Sequence, residues 1–248
     1  MKSQAGGPFY PVFTGRRDSN QSYFQEAMDD IPKPDGNITQ TLGLFTLRGF
    51  NERETVSLLG KGLLFSPLFQ ILSTIRIVVS NWIFNCKGGH SIGKISCEFI
   101  QGRLFNFSGT GQPDPSIASD FLDEMRRNCQ DSGNSSNGTA SPPMVSRAMS
   151  ELTLGMTYYQ GLSSSVSSGS AFDTHYYQSL LQGRGLLFSD QQLMAEEKTE
   201  RLVRAYASDD GSTFQIDFAR SMMKMSTLSV LTGSQGQVRL NCSKMVSS

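Results

Sequence analysis

The sequence is short of histidine and has no surplus of charge of either sign. Lysine and arginine number 22, as do aspartate and glutamate, so the formal net charge is zero. A chain so balanced carries no electrostatic footprint for a nucleic acid. Histidine occurs at His90 and His175 alone, which leaves each imidazole to be weighed on its own. No CxxC pair and no zinc-type spacing joins the cysteines, so a structural zinc site is not encoded. GxSxG, the P-loop and paired carboxylates are missing as well, and periodicity alone leaves the chemistry unassigned. The opening MKSQAGGPFYPVF has no apolar h-region, so no secretory leader is visible in it. Period-two alternation is nowhere sustained; the expected class is mainly α.

What is present is ordinary in proportion and odd in one place. Hydrophobic residues make up 38% and charged residues 18% of 248 positions, enough for one real core. Six N-x-[ST] patterns begin at Asn20, Asn37, Asn106, Asn134, Asn137 and Asn241. Together they lean toward a secretory origin. A secretory body without a leader leads us to expect a chain that starts downstream of its natural beginning. The cysteines are Cys86, Cys97, Cys129 and Cys242, which permit two disulfides in three connectivities.

Along the chain, residues 1–37 are rich in turns. Residues 38–48 place Leu42, Phe45 and Leu47 at roughly helical spacing, with Gly49 ending the run. Asn51-Glu52-Arg53-Glu54 reads as a capping box opening a short helix through Leu59. Asp114-Pro115 reads as the start of a helix with Ile117, Phe121, Leu122 and Met125 on its apolar face. A further helix from about 174 carries Tyr176, Tyr177, Leu180 and Leu181 and stops at Gly183-Arg184-Gly185. Two more are expected near 196–208 and 212–226. The stripe Phe218, Met222, Met225 reads as core. Residues 130–141 form a polar loop, and 143–172 have no clear pattern.

The residues that can carry chemistry are few. His90, in a glycine-rich turn, can serve as a metal or haem ligand or be a plain loop histidine. His175 reads as a surface residue. Ser189-Asp190-Gln191 reads as an N-cap.

The odd place is Leu63 to Phe84, an apolar stretch between the helix ending at Gly60 and the Gly89-His90-Ser91-Ile92-Gly93 turn. Joining residue 60 to residue 89 gives NERETVSLLG-GHSIGKISC. That resembles the proximal-haem signature of plant secretory (class III) haem peroxidases, V-x-L-x-G-x-H-[ST]-x-G-x-x-x-C. The likeness continues in order through AGGPFYPVFTGRRDS, IPKP, FNFSGTGQPDP, FDTHYYQSLL, GRGLLFSDQQL and FARSMMKMSTLSVLTGSQGQVRLNC.

The resemblance implies the C-terminal, proximal part of the haem-peroxidase helical fold. Residues 1–248 would be a single partial domain interrupted by an insert at 61–88. It implies one haem b, with His90 as axial ligand through Nε2 and Asp190 accepting the Nδ1 proton, which lends the imidazole imidazolate character. Pro32 matches a residue lining the substrate channel. One proximal Ca²⁺ site is implied at Ser91, Ser168, Ala171 and Asp173. Ser165 stands where the family has a second aspartate, which weakens the site for a hard cation. Ser164 stands where the family has an aromatic neighbour of the proximal histidine. Cys97 and Cys129, 32 residues apart, match the family's local disulfide, and Cys242 matches a cysteine whose partner lies upstream of residue 1.

By the same resemblance the substrates are hydrogen peroxide and small phenolic donors. The protein would be a monomer, extracellular or vacuolar, with no nucleic acid as partner. The distal histidine and arginine, which activate peroxide, match no residue here, so weak or absent activity is expected. The alternative is a non-catalytic remnant or aberrant splice product with no specific ligand.

For residues 61–88 the expectation is a translated, unspliced intron. Gly60-Lys61 is compatible with GGT-AAG, and the insert is rich in residues with AT-rich codons. Genomic sequence lacking GT and AG at those borders would sink it. A membrane span from Gly62 to Phe84 is opposed by Pro67, Gln70 and central Arg76, an arginine there costing about 2.5–3.5 kcal/mol.

Overall fold

A computed structural model describes residues 7–21, 23–60, 94–130, 156–158 and 172–241. The apolar stretch Leu63 to Phe84 lies outside them, as do His90, Cys86 and Cys242. The described residues are mostly helical, as the missing period-two alternation predicts. Helix α1 is Phe24–Asp30, α2 Ile38–Thr46, α3 Glu52–Gly60, α4 Gln101–Phe105 and α5 Ser119–Gln130. Four more follow in the C-terminal part: α6 His175–Leu181, α7 Phe188–Gln191, α8 Glu197–Ser208 and α9 Ser212–Ser226. Two short strands, β1 Lys94–Ser96 and β2 Met156–Tyr158, pair antiparallel with Ile95 opposite Thr157. Among the described residues no helix is long and apolar enough to cross a membrane.

Local signals explain most boundaries. Asn37 and Gln40 exchange side-chain and backbone bonds at 2.9 and 3.0 Å, a capping box that starts α2. Asn51 and Glu54 do the same for α3, both bonds 2.9 Å. Gly49, at φ 79°, takes the left-handed turn between the two helices. Two sequence expectations shift. Leu47 falls beyond α2 and is exposed, while Ile38, Thr41 and Phe45 make the buried face. Helix α5 starts at Ser119 rather than at Asp114. Asp114 instead makes a turn, accepting the Ser116 N–H and O–H at 2.8 and 2.7 Å. Helix α1 lies inside the stretch read as turns.

The larger core joins α2, α3, α6, α8 and α9. Val56, Leu58, Tyr177, Leu180, Leu193, Val203, Tyr206 and Phe214 are all at most 1% exposed in it. Each such side chain contributes about 1.5–3 kcal/mol by leaving water. Helix α3 is buried from Thr55 to Gly60, so it runs through the centre instead of along the surface. Phe218, Met222 and Met225 are core, as their spacing predicts. A satellite core gathers Ile100, Leu104, Phe121, Met125 and Leu187 around the Cys97–Cys129 disulfide, whose Cα atoms are 5.7 Å apart.

Buried polar groups tie these layers together. Arg103, 5% exposed, donates from Nε to Asp114 at 2.8 Å and from Nη1 to the carbonyls of Gly185 and Leu186 at 2.7 and 2.6 Å. It staples the satellite core to the loop before α7. Asp217 accepts the Tyr206 hydroxyl at 2.8 Å and Arg53 at 2.6 Å, joining α8, α9 and α3. Near the chain ends, Arg17 and Asp18 pair in extended fashion with Leu231 and Gln237.

Candidate functional site

Asp190 is the centre of the polar arrangement that the sequence pointed to. It is 2% exposed, on the short helix α7. It is not an N-cap: it lies in the helix's first turn and reaches back, with Oδ2 accepting the Leu187 N–H at 2.9 Å. Its Oδ1 accepts the hydroxyl of Tyr176 at 3.0 Å. Arg103 lies close enough for the Asp190 charge to act on its guanidinium. Burial pulls the Arg103 pKa down, and the bond to Asp114 opposes that. The carboxylate is thus sunk among core side chains yet well supplied with donors.

Three supports fix α7. Arg103 clamps the Gly185 and Leu186 carbonyls from below. Gln191 folds back to accept the Gly185 N–H at 2.9 Å and to donate to the Leu180 carbonyl at 3.1 Å. A Cβ on Gly185 would stand 2.8 Å from Gln191 Oε1 and from Leu180 Cδ2, so glycine alone permits this closure. The third support is the IPKP turn, whose Pro34 carbonyl accepts the Ser189 N–H at 3.1 Å.

Tyr176 is positioned from the other side by α6. Its ring meets Tyr177 edge-on at 5.1 Å, and Tyr177 in turn meets Tyr206 at 5.0 Å and Phe214 at 5.1 Å. The Tyr177 hydroxyl donates to the Val56 carbonyl at 3.0 Å, against the last turn of α3. Gly60 lies so close to that hydroxyl that any Cβ there would overlap it. Burial pushes the phenols of Tyr176 and Tyr177 well above their ordinary pKa, so both remain protonated donors.

The sequence-derived residues fall into two sets. Asp190, Asp173 and Pro32 are described; His90, Ser91, Ser164, Ser165, Ser168 and Ala171 lie outside the described residues. Pro32 is half-buried in the turn whose next proline, Pro34, bonds to α7, so the turn and Asp190 are brought together. Asp173 is half-buried just before α6, where Oδ1 accepts the His175 N–H at 3.1 Å. His175 is buried, contrary to its reading as a surface residue: it opens α6 under the core with Nδ1 lacking a hydrogen-bond partner among the described residues. Among the described residues no three His, Cys, Asp or Glu side chains cluster as a metal site. Tyr176, Arg103 and Gln191 were not legible as site residues. A tyrosine in an apolar helical stripe does ask for a polar partner; the buried arginine carries no comparable mark.

An ionised carboxylate offers about four lone-pair sites, of which the Leu187 N–H and the Tyr176 hydroxyl take two. A buried carboxylate held in this way is an acceptor suited to an imidazole N–H. The peroxidase family pattern matches residues 2–209. Putative Peroxidase 48 of Arabidopsis thaliana is 42% identical, over 97% of this chain and 55% of its own length. Peroxidase 37 of the same plant is 33% identical over 96% of this chain and 55% of its own length. Peroxidase C2 of Armoracia rusticana is 31% identical, again over 96% and 55%. The chain spans about half the length of the curated relatives it matches.

Proposed function

This chain belongs to the plant secretory haem peroxidase family, and from that premise we propose that it forms the haem-anchoring half of a hydrogen-peroxide-dependent oxidase of phenolic donors. The observation that supports the reading is Asp190: a carboxylate 2% exposed, fixed by the Leu187 N–H and the Tyr176 hydroxyl, and of the kind an imidazole N–H donates to. His90 would ligate the iron of one haem b through Nε2. Asp190 would hold the proton at Nδ1, fixing the tautomer and ring orientation and making the imidazole a stronger electron donor. Haem, when bound, supplies the one-electron redox chemistry. The chain's own residues supply the ligand, its orientation and a dry, aromatic backing. Pro32 would line the approach of the phenolic donor, beside the α7 helix that its turn holds in place.

Calcium enters the proposal through Asp173, with Ser91, Ser168 and Ala171 as its further oxygen donors. A serine at 165 instead of a carboxylate lowers the affinity for so hard a cation. An extracellular or vacuolar setting suits the Cys97–Cys129 disulfide, which persists where conditions are oxidising. The exposed asparagines Asn20, Asn37 and Asn106 suit glycosylation in that setting. The distal histidine and arginine match no residue of these 248, so by themselves these residues would turn over peroxide weakly or not at all.

The test is a haemin titration of the purified chain followed by its Soret band, with His90→Ala and Asp190→Asn alongside. The expected result is saturable binding with a five-coordinate spectrum, lost in His90→Ala and perturbed in Asp190→Asn. Guaiacol oxidation no faster than free haemin fits an anchoring half alone. Spectra of the chain and His90→Ala that coincide would falsify the proposal and favour a remnant without a specific ligand.

A further inference from the structure

Asp190 is not the only buried carboxylate that holds a tyrosine hydroxyl: Asp217 of α9 does the same for Tyr206 of α8. We propose that Tyr206 is a redox-active tyrosine. An outer-sphere one-electron oxidant takes an electron from its ring while the phenolic proton crosses the 2.8 Å hydrogen bond to Asp217 Oδ2, leaving a neutral phenoxyl radical and a protonated Asp217 inside the fold. Neither residue needs a bound haem for this step.

The physical case begins with burial, since Tyr206 is 0% exposed. A phenol that loses an electron becomes a very strong acid, so its proton has to leave in the same event. An electron tunnels through packed rings, whereas a proton moves only within a hydrogen bond. A buried tyrosine is therefore oxidisable only if its hydroxyl already donates to a base. Tyr206 meets that condition, its bond to the carboxylate being charge-assisted. Tyr177, with its ring centroid 5.0 Å away, does not: its hydroxyl donates to the Val56 carbonyl, an amide oxygen with almost no basicity. Burial raises the pKa of both phenols, so neither sheds its proton ahead of the electron. Of these two touching rings, the oxidising equivalent settles on Tyr206.

Charge balance favours the same residue. The Asp217 carboxylate pairs with Arg53 at 2.6 Å, and Arg220 stands 3.9 Å from its other oxygen. Both arginine side chains are exposed, 52% and 76%. Once Asp217 takes the proton, the positive charge left by the lost electron rests on guanidinium groups already in water, where it is screened. The rival position is Tyr176, bonded to Asp190, but Arg103, the cation acting on that carboxylate, is buried. Neutralising Asp190 would strand charge in a low dielectric. The Tyr206 ring is also held in place, 5.7 Å from Phe214 of the helix that carries Asp217. The same burial keeps the phenoxyl from meeting a second radical, so it outlives those formed on exposed tyrosines.

The test uses the purified chain without haem, and azide radical from pulse radiolysis of a nitrous-oxide-saturated azide solution as the oxidant. One azide radical becomes azide ion for each phenoxyl formed, and the proton stays on Asp217. The readout is the tyrosyl absorption and electron paramagnetic resonance signal that remain after radicals on exposed tyrosines have coupled with one another. The parent should keep a persistent fraction, as should Tyr176→Phe and Tyr177→Phe, while Tyr206→Phe loses it. Asp217→Asn leaves an acceptor oxygen but no base; the persistent fraction should fall at least about tenfold, since a positioned base contributes about 10²–10⁴-fold to proton transfer. A persistent signal that survives in folded Tyr206→Phe overturns the proposal, as does a parent chain with none. Where Tyr206→Phe fails to fold, deuterium electron–nuclear double resonance of the parent in D₂O decides. The protonated Asp217 supplies an exchangeable deuteron to the phenoxyl oxygen, which the Val56 carbonyl beside Tyr177 cannot do. A persistent radical without that deuteron, or one that disappears in Tyr176→Phe, then overturns the assignment to Tyr206.

Discussion

Replacing Arg103 by methionine removes the cation that couples the satellite core to the α7 loop. The side chains of Arg103 and Asp114 are 5% and 1% exposed, and their ion pair is 2.8 Å long. Removing one partner leaves the other as an uncompensated buried charge, which costs about 3–5 kcal/mol. Against a total stability of about 5–15 kcal/mol, that is about a fifth or more. The carbonyls of Gly185 and Leu186 lose their donor in the same substitution, each at about 1–3 kcal/mol if no water reaches it. With a urea slope of about 1–3 kcal/mol per M, the unfolding midpoint should fall by about 1–5 M. The assay is urea unfolding followed by far-UV circular dichroism. The double variant Arg103→Met/Asp114→Leu is the informative control. An apolar pair of similar volume is often no less stable than the ion pair, so it should recover part of the loss, but not the share that belongs to the two carbonyls. An Arg103→Met unfolding free energy within about 1 kcal/mol of the parent's, at unchanged slope, would show that the charge is reached by water and that the staple is decorative.

Tyr176, Tyr177 and Tyr206 predict an alkaline limit, since burial raises all three phenols above their ordinary pKa of about 10. Above pH of about 10 the unfolded chain has released protons that the fold still binds, so stability present below that pH is lost as pH rises, by about 1.4 kcal/mol per pH unit per tyrosine; denaturant midpoints still level at pH of about 11.5 would count against it. Gly60→Ala should cost about 1–3 kcal/mol because its Cβ overlaps the Tyr177 hydroxyl and ring. Gly43→Ala, inside α2 with nothing within 4 Å of its Cβ, should gain about 0.5–1 kcal/mol. Thermal melts of the two variants that shift the same way would refute the packing assignment.

The helices were readable where a local rule fixes them, and the site was readable only where a motif fixes it. Asn51 and Glu54 announce α3 because a capping box is written three residues apart. The 3.6-residue period predicts the buried face of α9 because Phe218, Met222 and Met225 answer to one core. Asp114 misled because aspartate before proline marks a turn as readily as a helix start, and which it does is decided by Arg103, 11 residues earlier in the chain. Leu47 misled because α2 ends one residue before it. Asp190 came from resemblance rather than from physics: nothing local tells an N-terminal aspartate of a short helix from a buried acceptor. The burial depends on Tyr176, Leu187 and the Arg103 staple, contacts made by folding. Tyr176 looked like any apolar-face tyrosine for the same reason.

Deleting residues 61–88 would leave His90 two residues after the end of α3, and the packing around Gly60 sets the expected effect. Gly60 lies against Tyr177, and Tyr176 beside it holds Asp190. With the deletion only Gly89 separates Gly60 from His90, so their Cα atoms can be no more than about 7 Å apart. The imidazole would then be tethered next to the end of a buried helix. In the chain as it stands 29 residues intervene, and the entropy of closing them is larger by about 2–3 kcal/mol. At 1.4 kcal/mol per tenfold, haemin should bind the shortened chain about 30- to 150-fold more tightly. Soret titrations of both chains, each with its His90→Ala variant, measure the ratio. Equal, His90-dependent affinities would mean that the insert holds His90 in place as firmly as the short connection does, and residues 61–88 would then have to be counted as part of the site.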